Sequence, residues 1–488
     1  MWQRCVHNTF DAANHSRVVL VVAALMIIVS WQRVVAQSGS PGLTVQTVRL
    51  SPPASARGEA VEPSIAVGYD TPQHIVIGGY SPRSIRGYYW SSVDEGRSWT
   101  SGELRVQGNH GAVDPSLKFV NDCDVLYLHG DPGDPKEFLE LWEKDLHHEG
   151  AYWVADGGLG LQRSTDCGKT YQGTQLLRNP SGQLSIDKPW LAVDRSSESK
   201  FVGSVYAFWS ILGDVWDEQP GATDINFMYS RDRGAHFSPA KRLRTHGYAV
   251  QAVVRPDGVL DVVWTNRRWK NRKIWHMTSQ DGGLTFSKPE LVVSVSGPSV
   301  VDLPSLSASV RGSLLLAWIQ TTDAEPQCGR TPSHVYYSIL RKRSWSPPHA
   351  LEDLPVRIST RFPATTATST AFWVLAYRVT KANTSVVLYR QSYGSAQFVR
   401  YTVLATRQFG TPHFHPGPMW RDCSEGFTQT FFPGDYVGLA GTDHMVVAAY
   451  VLPRDDDGKT PGIRNIYVSV VPTDIKNLMT NATPAEVR

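Results

Sequence analysis

Short runs with the two-residue period of a β-strand recur along the whole chain, among them Val125-Leu126-Tyr127-Leu128, Val205-Tyr206-Ala207-Phe208-Trp209, Leu260-Asp261-Val262-Val263-Trp264 and Leu314-Leu315-Leu316-Ala317-Trp318. Ahead of such runs stands a strand opened by an acidic residue and a proline. The clearest cases are Glu62-Pro63-Ser64-Ile65-Ala66-Val67, Asp114-Pro115-Ser116-Leu117, Asp187-Lys188-Pro189-Trp190-Leu191-Ala192-Val193 and Asp302-Leu303-Pro304-Ser305-Leu306. Weaker versions at 248–254, Arg361-Phe362-Pro363 and Gly434-Asp435-Tyr436-Val437 bring the starts to seven. A third and a fourth strand follow in each unit, so the pattern predicts a repeated four-stranded antiparallel meander.

Between the third and fourth strands lies an octapeptide Ser-x-Asp-x-Gly-x-x-aromatic, at residues 92–99, 164–171, 230–237 and 279–286. The aspartates, Asp94, Asp166, Asp232 and Asp281, are spaced by 72, 66 and 49 residues, once per unit. A short carboxylate accepts backbone N–H bonds from residues just ahead, and glycine tolerates positive φ, so the octapeptide is a turn and its aspartate structural. Residues 338–345 read as a fifth copy that has lost Asp and Gly and kept Trp345.

This octapeptide resembles the Asp box of sialidase-like β-propellers. The resemblance implies an all-β propeller of four-stranded blades; the seven starts give seven blades, with six as the alternative because sialidases have six. The last unit supplies about three strands, and residues 44–50, Thr-Val-Gln-Thr-Val-Arg-Leu, alternate and are expected to complete it. That pairing would close the ring and remove its exposed edges.

Composition narrows the partners. The 488 residues carry 48 basic and 45 acidic side chains, a formal charge of +3, with no clustered basic face to mark nucleic-acid binding. Arg4 and Arg17 precede an apolar run at 18–31 and then Val34-Val35-Ala36. Residues 1–36 are therefore expected to be a signal peptide or N-terminal anchor, with 37–488 a single extracytoplasmic propeller and membrane contact only through an uncleaved leader. Beyond Cys5 in the leader, the expected disulfides are Cys123 with Cys167 and Cys328 with Cys423, free buried thiols being the alternative.

In a propeller the starts of the inner strands converge on the axis. Glu62, Asp114, Asp187, Asp302, Arg361 and Asp435 should therefore meet at one end of the channel, where carboxylates suit acid–base chemistry or a structural calcium ion. Alternatively each caps backbone N–H groups of a neighbouring blade. The resemblance to sialidases implies carboxylate-binding arginines, a tyrosine nucleophile activated by a glutamate, and an aspartate acid. The matching candidates are Arg361 with Arg267 or Arg268, Tyr436 with Glu425, and Asp114, with Glu62, Asp187, Asp302 and Asp435 lining the substrate site. The sequence departs from sialidases where their Arg-Ile-Pro motif would fall, since Glu62-Pro63 stands there and Arg361-Phe362-Pro363 comes five blades later.

The stretch 434–440 resembles a Gly-Asp-Tyr-x-Gly-Leu segment of bacterial exported sialidase-like proteins, and Trp264-Thr265-Asn266-Arg267-Arg268 is similar to their Trp-x-Asp-x-Arg strand end. The expected function is a glycan-directed hydrolase of sialidase type with a glycan or glycoprotein partner; the alternative is a non-catalytic glycan- or protein-binding scaffold. Long insertions at 132–150, 214–224 and 409–426 are candidate recognition loops. His413 and His415, like His147 and His148, lack a third ligand at metal-binding spacing, and no phosphate loop or serine-nucleophile elbow occurs, so no organic cofactor is expected.

Overall fold

A computed structural model describes residues 44–50, 52–53, 59–146, 158–177, 185–212, 223–266, 273–297, 299–321, 333–355, 358–380, 383–407, 411–412, 430–431, 434–453 and 464–473. The leader, Cys5, Cys328, Cys423, Arg267, Arg268, Glu425, and the histidines at 147, 148, 413 and 415 lie outside these residues, as do most of the 214–224 and 409–426 insertions. The chain divides into Met1–Arg33 and Val34–Arg488, and everything described belongs to the second unit. No helix among the described residues is long and apolar enough to cross a membrane.

Seven small antiparallel sheets follow one another around a ring, each contacting the next through its innermost strand, and the last returns to the first. The fold is a seven-bladed β-propeller, which sets aside the six-bladed alternative. The inner strands are Val61–Val67, Val113–Phe119, Ser185–Val193, Tyr248–Val254, Val300–Ala308, Ser359–Ala367 and Gly438–Gly441, defining blades 1 to 7. In blade 7 the outermost strand is Gln46–Arg49, paired with Arg464–Pro472 from Gln46↔Val470 to Arg49↔Tyr467, so the two ends of the chain close the ring as expected. Nearby Glu59 is fully buried and receives both Arg83, at 2.8 Å, and Arg464.

Blades pack face to face, which explains why their second strands are apolar on both sides. In blade 3, Val205, Ala207 and Trp209 pack with Leu126 and Leu128 of blade 2, while the intervening Tyr206 and Phe208 pack with Val262 and Trp264 of blade 4. The strand period of two thus hands alternate residues to opposite neighbours.

The octapeptides form one recurring turn. In the first, Ser92 Oγ donates to Asp94 Oδ1 (2.8 Å) and accepts from Gly96 N (2.8 Å), while Ser98 N and Oγ donate to the two Asp94 oxygens at 2.8 and 2.6 Å. Asp166, Asp232 and Asp281 make the matching bonds to Thr170, His236 and Thr285. The glycine answers two demands. Gly168 and Gly234 have φ of 85° and 83°, and a Cβ on them would meet Val76 of blade 1 at 2.5 Å and Leu126 of blade 2 at 2.7 Å. Each box is thereby pressed onto the preceding blade. Trp345 of the degenerate fifth copy still does so, its ring edge-on to His276 of blade 4 at 5.4 Å.

Cys123 and Cys167 are joined as a disulfide across blade 2, with His74 of blade 1 beside both sulfurs at 3.8 and 3.9 Å. The 132–150 insertion carries a helix, Pro135–Leu146, whose first turn is capped by Asp134 Oδ1 accepting from Lys136 N and Glu137 N.

Candidate functional site

Six of the seven inner strands open on a bulge. The register with the second strand skips between Val61 and Ser64, Val113 and Ser116, Asp187 and Trp190, Tyr248 and Gln251, Asp302 and Ser305, and Arg361 and Ala364. Within each, one non-glycine residue takes left-handed φ: Glu62 (53°), Asp114 (52°), Lys188 (52°), Ala249 (51°), Leu303 (46°) and Phe362 (53°). Such backbone costs roughly 1–3 kcal/mol per residue and persists where the surroundings over-determine it. The bulge frees the backbone from the ladder and turns side chains toward the end of the channel.

The prolines, not the acids, mark the common register. Glu62, Asp114 and Lys188 occupy the same left-handed position in consecutive blades, each followed by proline, whereas Asp187, Asp302 and Arg361 stand one residue earlier. Two residues beyond the bulge, serines stitch blade to blade. Ser64 Oγ accepts from Leu117 N (3.1 Å), Ser116 Oγ from Leu191 N (2.9 Å) and Ser305 Oγ from Thr365 N (3.0 Å). In blade 3 the equivalent Trp190 makes the link through Nε1 to Ala252 O at 2.8 Å.

At this end of the channel blades 1, 2, 3 and 7 bring together Glu62, Asp114, Asp187, Lys188, Asp435 and Tyr436. The Lys188 ammonium pairs with Asp435 and lies 3.4 Å from Asp187 and 3.9 Å from Asp114. It also sits 5.3 Å above the Tyr436 ring. Glu62 Oε1 accepts from Asp435 N (2.8 Å), and Tyr248 donates its hydroxyl to Asp187 Oδ2 (2.9 Å). Tyr436 directs its hydroxyl to Pro115 O at 3.5 Å.

Burial raises the carboxyl pKa of Glu62, and raises that of Asp114 well above the ordinary range, the charge of Glu62 adding to the effect. Glu62 Oε2 is buried with no hydrogen-bond partner, and each carboxyl acts on the pKa of the other, a setting that favours one proton held by the pair. Burial alone would lower Lys188, but Asp187, Asp435 and Asp114 outweigh it and hold its ammonium well above its usual value. Tyr436 is pushed well above 10 by burial and by Asp114 and Glu62, so its phenol stays protonated; Tyr80, beside the same carboxyls, is raised likewise. The group combines a proton-holding carboxyl pair, a compensated lysine and phenolic hydroxyls.

Asp302 and Arg361 belong to the inner strands of blades 5 and 6. Asp302 uses Oδ1 to accept from Leu303 N (2.8 Å) within its own bulge. Arg361 is buried at the start of blade 6, where desolvation pulls its pKa down to about 10, and its charge adds to burial in lowering His334. Lys188, Tyr80 and Tyr248 were not singled out from the sequence. Aligning the starts on proline would have placed Lys188 with Glu62 and Asp114; Tyr248 opens the inner strand of blade 4, whereas nothing local marks Tyr80, on the second strand of blade 1.

Lys188, Asp435 and Tyr436 line one end of a channel of about 630 Å³ walled by the inner strands of the blades. Its other end is lined by Tyr69 and Arg195, just past the inner strands of blades 1 and 3, and by Lys118 near the end of that of blade 2.

No protein-family model and no curated protein matches the sequence. The fold is similar to that of a PL25 ulvan lyase bound to -[GlcA(1-4)Rha3S]-, with a TM-score of 0.54 and 11% identity over 89% of this chain and 99% of that one. It is similar to the polysaccharide lyase Uly1 at a TM-score of 0.50 and 8% identity, covering 84% of this chain and 90% of that chain. A Penicillium chrysogenum α-L-arabinanase complexed with arabinobiose aligns at a TM-score of 0.46 and 14% identity over 75% of this chain and 94% of its own. The two lyase likenesses agree with the fold seen here.

Proposed function

We propose that this protein is a glycan-cleaving enzyme whose chemistry takes place where Glu62, Asp114, Lys188, Asp435 and Tyr436 meet. One observation carries the reading: two buried carboxyls with raised pKa, Glu62 and Asp114, sit directly behind Lys188, Asp435 and Tyr436, which line the end of the channel. Breaking a glycosidic bond requires a proton for the departing oxygen, and a carboxyl with a raised pKa supplies one at neutral pH. Asp114 is the donor, Glu62 its proton-sharing partner, and Tyr436 a hydroxyl that orients the sugar. Lys188, balanced by Asp435, provides the positive charge that a calcium ion would otherwise bring. The fold shared with polysaccharide lyases, one of them bound to a uronate-containing sulfated disaccharide, supports a glycan as substrate class.

Sialidase-type hydrolysis is the finer form of this reading. It would have Arg361 and Arg267 or Arg268 grip a substrate carboxylate, Tyr436 attack after Glu425 takes its proton, and Asp114 protonate the leaving group. The high phenol pKa makes that base indispensable. An exported location agrees with the Cys123–Cys167 disulfide.

The alternative, a non-catalytic glycan- or protein-binding scaffold, is favoured by one feature: Lys188 and Glu62 tie blades 3 and 1 to Asp435 of blade 7, as a structural clasp would. Turnover of a panel of aryl glycosides, a sialoside among them, and of uronate-containing polysaccharides separates the two. Cleavage of any member supports the enzyme. Glycan-array binding without turnover on the whole panel supports the scaffold.

A further inference from the structure

The far mouth of the channel differs in charge from the carboxyl end. Lys118, from the inner strand of blade 2, and Arg195, just past the inner strand of blade 3, both line it. Among the described residues neither side chain makes an ion pair or a hydrogen bond. Each lies instead against an aromatic ring: the Lys118 ammonium is 5.0 Å from the centre of Trp190, and the Arg195 guanidinium 5.4 Å from Tyr69. Tyr69 is 65% exposed, so its ring packs little of the protein.

The two cations are close enough to repel. Enclosure by the channel walls, with the Arg195 charge added, lowers the Lys118 ammonium to about 8. Asp70 acts on Arg195 from outside ion-pair range, and Glu198 is an exposed rim residue. The neighbouring Arg255 is already held by Asp261, at 2.6 and 2.5 Å. Lys118 is half-buried and Arg195 exposed at the mouth, and two cations turned toward one cavity favour an anion between them. Aromatic rings flanking them add apolar faces on which a sugar ring can lie.

We propose that Lys118, Arg195, Tyr69 and Trp190 form a subsite for an anionic sugar, with the two cations gripping its sulfate or carboxylate and the rings flanking its pyranose. The subsite lies across the channel from the Glu62–Asp114 pair, roughly 20 Å away along the inner strands. It stands or falls independently of catalysis there.

Isothermal titration calorimetry at low ionic strength tests it with glucose 6-sulfate, glucuronic acid, glucose and inorganic sulfate as probes. The acidic sugars should bind at least about tenfold more tightly than either glucose or sulfate. Lys118→Gln and Arg195→Gln should each weaken them about tenfold, with unchanged thermal melts, and Arg195→Lys should recover part of the loss. With Asp70 and Glu198 the acids nearby, binding should weaken as pH rises past about 8 and Lys118 loses its proton. Inorganic sulfate binding as tightly as the acidic sugars, no binding of either acidic sugar, or undiminished binding by both Gln variants would overturn the proposal.

Discussion

Glu62 of the first blade accepts, through Oε1, a 2.8 Å hydrogen bond from the backbone N–H of Asp435 in the last. Blades 1 and 7 are thus joined at the axis by a buried side chain, while Gln46–Arg49 joins them at the rim. The residue before Asp435, Gly434, has φ of 98°, and a Cβ there would collide with Glu62 Cγ and stand 2.8 Å from Glu62 N. Gly434→Ala should lower stability by about 3 kcal/mol, combining left-handed strain with overpacking. A chemical-denaturation midpoint equal to wild type would show that the axial contact is not needed for closure.

The serine stitches make a smaller, local claim. Ser116→Ala leaves the Leu191 N–H without its acceptor between blades 2 and 3, at a cost of about 1–3 kcal/mol. Hydrogen exchange should show Leu191 N–H losing protection well before the other amides of its strand; uniform protection would contradict this role.

The octapeptide turns give stability a defined acid limb. Partial burial works to raise Asp94, Asp166 and Asp281, but hydrogen bonds from Ser98, Thr170, Thr285 and the box serines outweigh it and hold the carboxyls below their usual range. Asp232 is held lower still, chiefly by the His236 N–H. Because the folded-state pKa values are depressed, their contribution is complete above the unfolded carboxylate value of about 4 and disappears as pH falls below it. Melting temperature measured down to about pH 2 should therefore fall steeply below about pH 4. Asp166→Asn should flatten that fall; an unchanged slope would mean that the turn bonds do not couple to folding.

The repeat was legible because each blade must bury both faces of its second strand and end its third in the same turn. Runs such as Val205-Tyr206-Ala207-Phe208-Trp209 and the Ser-x-Asp-x-Gly spacing are direct consequences. Even the closing strand at 44–50 could be read from its alternation. The site was only half legible. An acidic residue followed by proline looked like one motif, but Glu62 and Asp187 fall in different registers of the bulge, and the register decides what faces the channel. Lys188 therefore passed unnoticed between Asp187 and Pro189. Tyr248 and Asp187 each stand at a start read from the sequence, but their bond to one another is made by the ring that brings neighbouring blades together.

The shared proton of Glu62 and Asp114 is the centre of the functional account, and the pH–rate profile of wild type beside Asp114→Asn tests it most directly. On whichever glycan of the panel is cleaved, turnover should fall as pH rises through a pKa well above the ordinary carboxylate range, because the donor form is then lost. Asp114→Asn, which has no proton to give, should lower kcat at least about a hundredfold while the melt shows a folded propeller. An Asp114→Asn protein that turns over at the wild-type rate with the same pH profile would contradict the assignment of chemistry to this end of the channel.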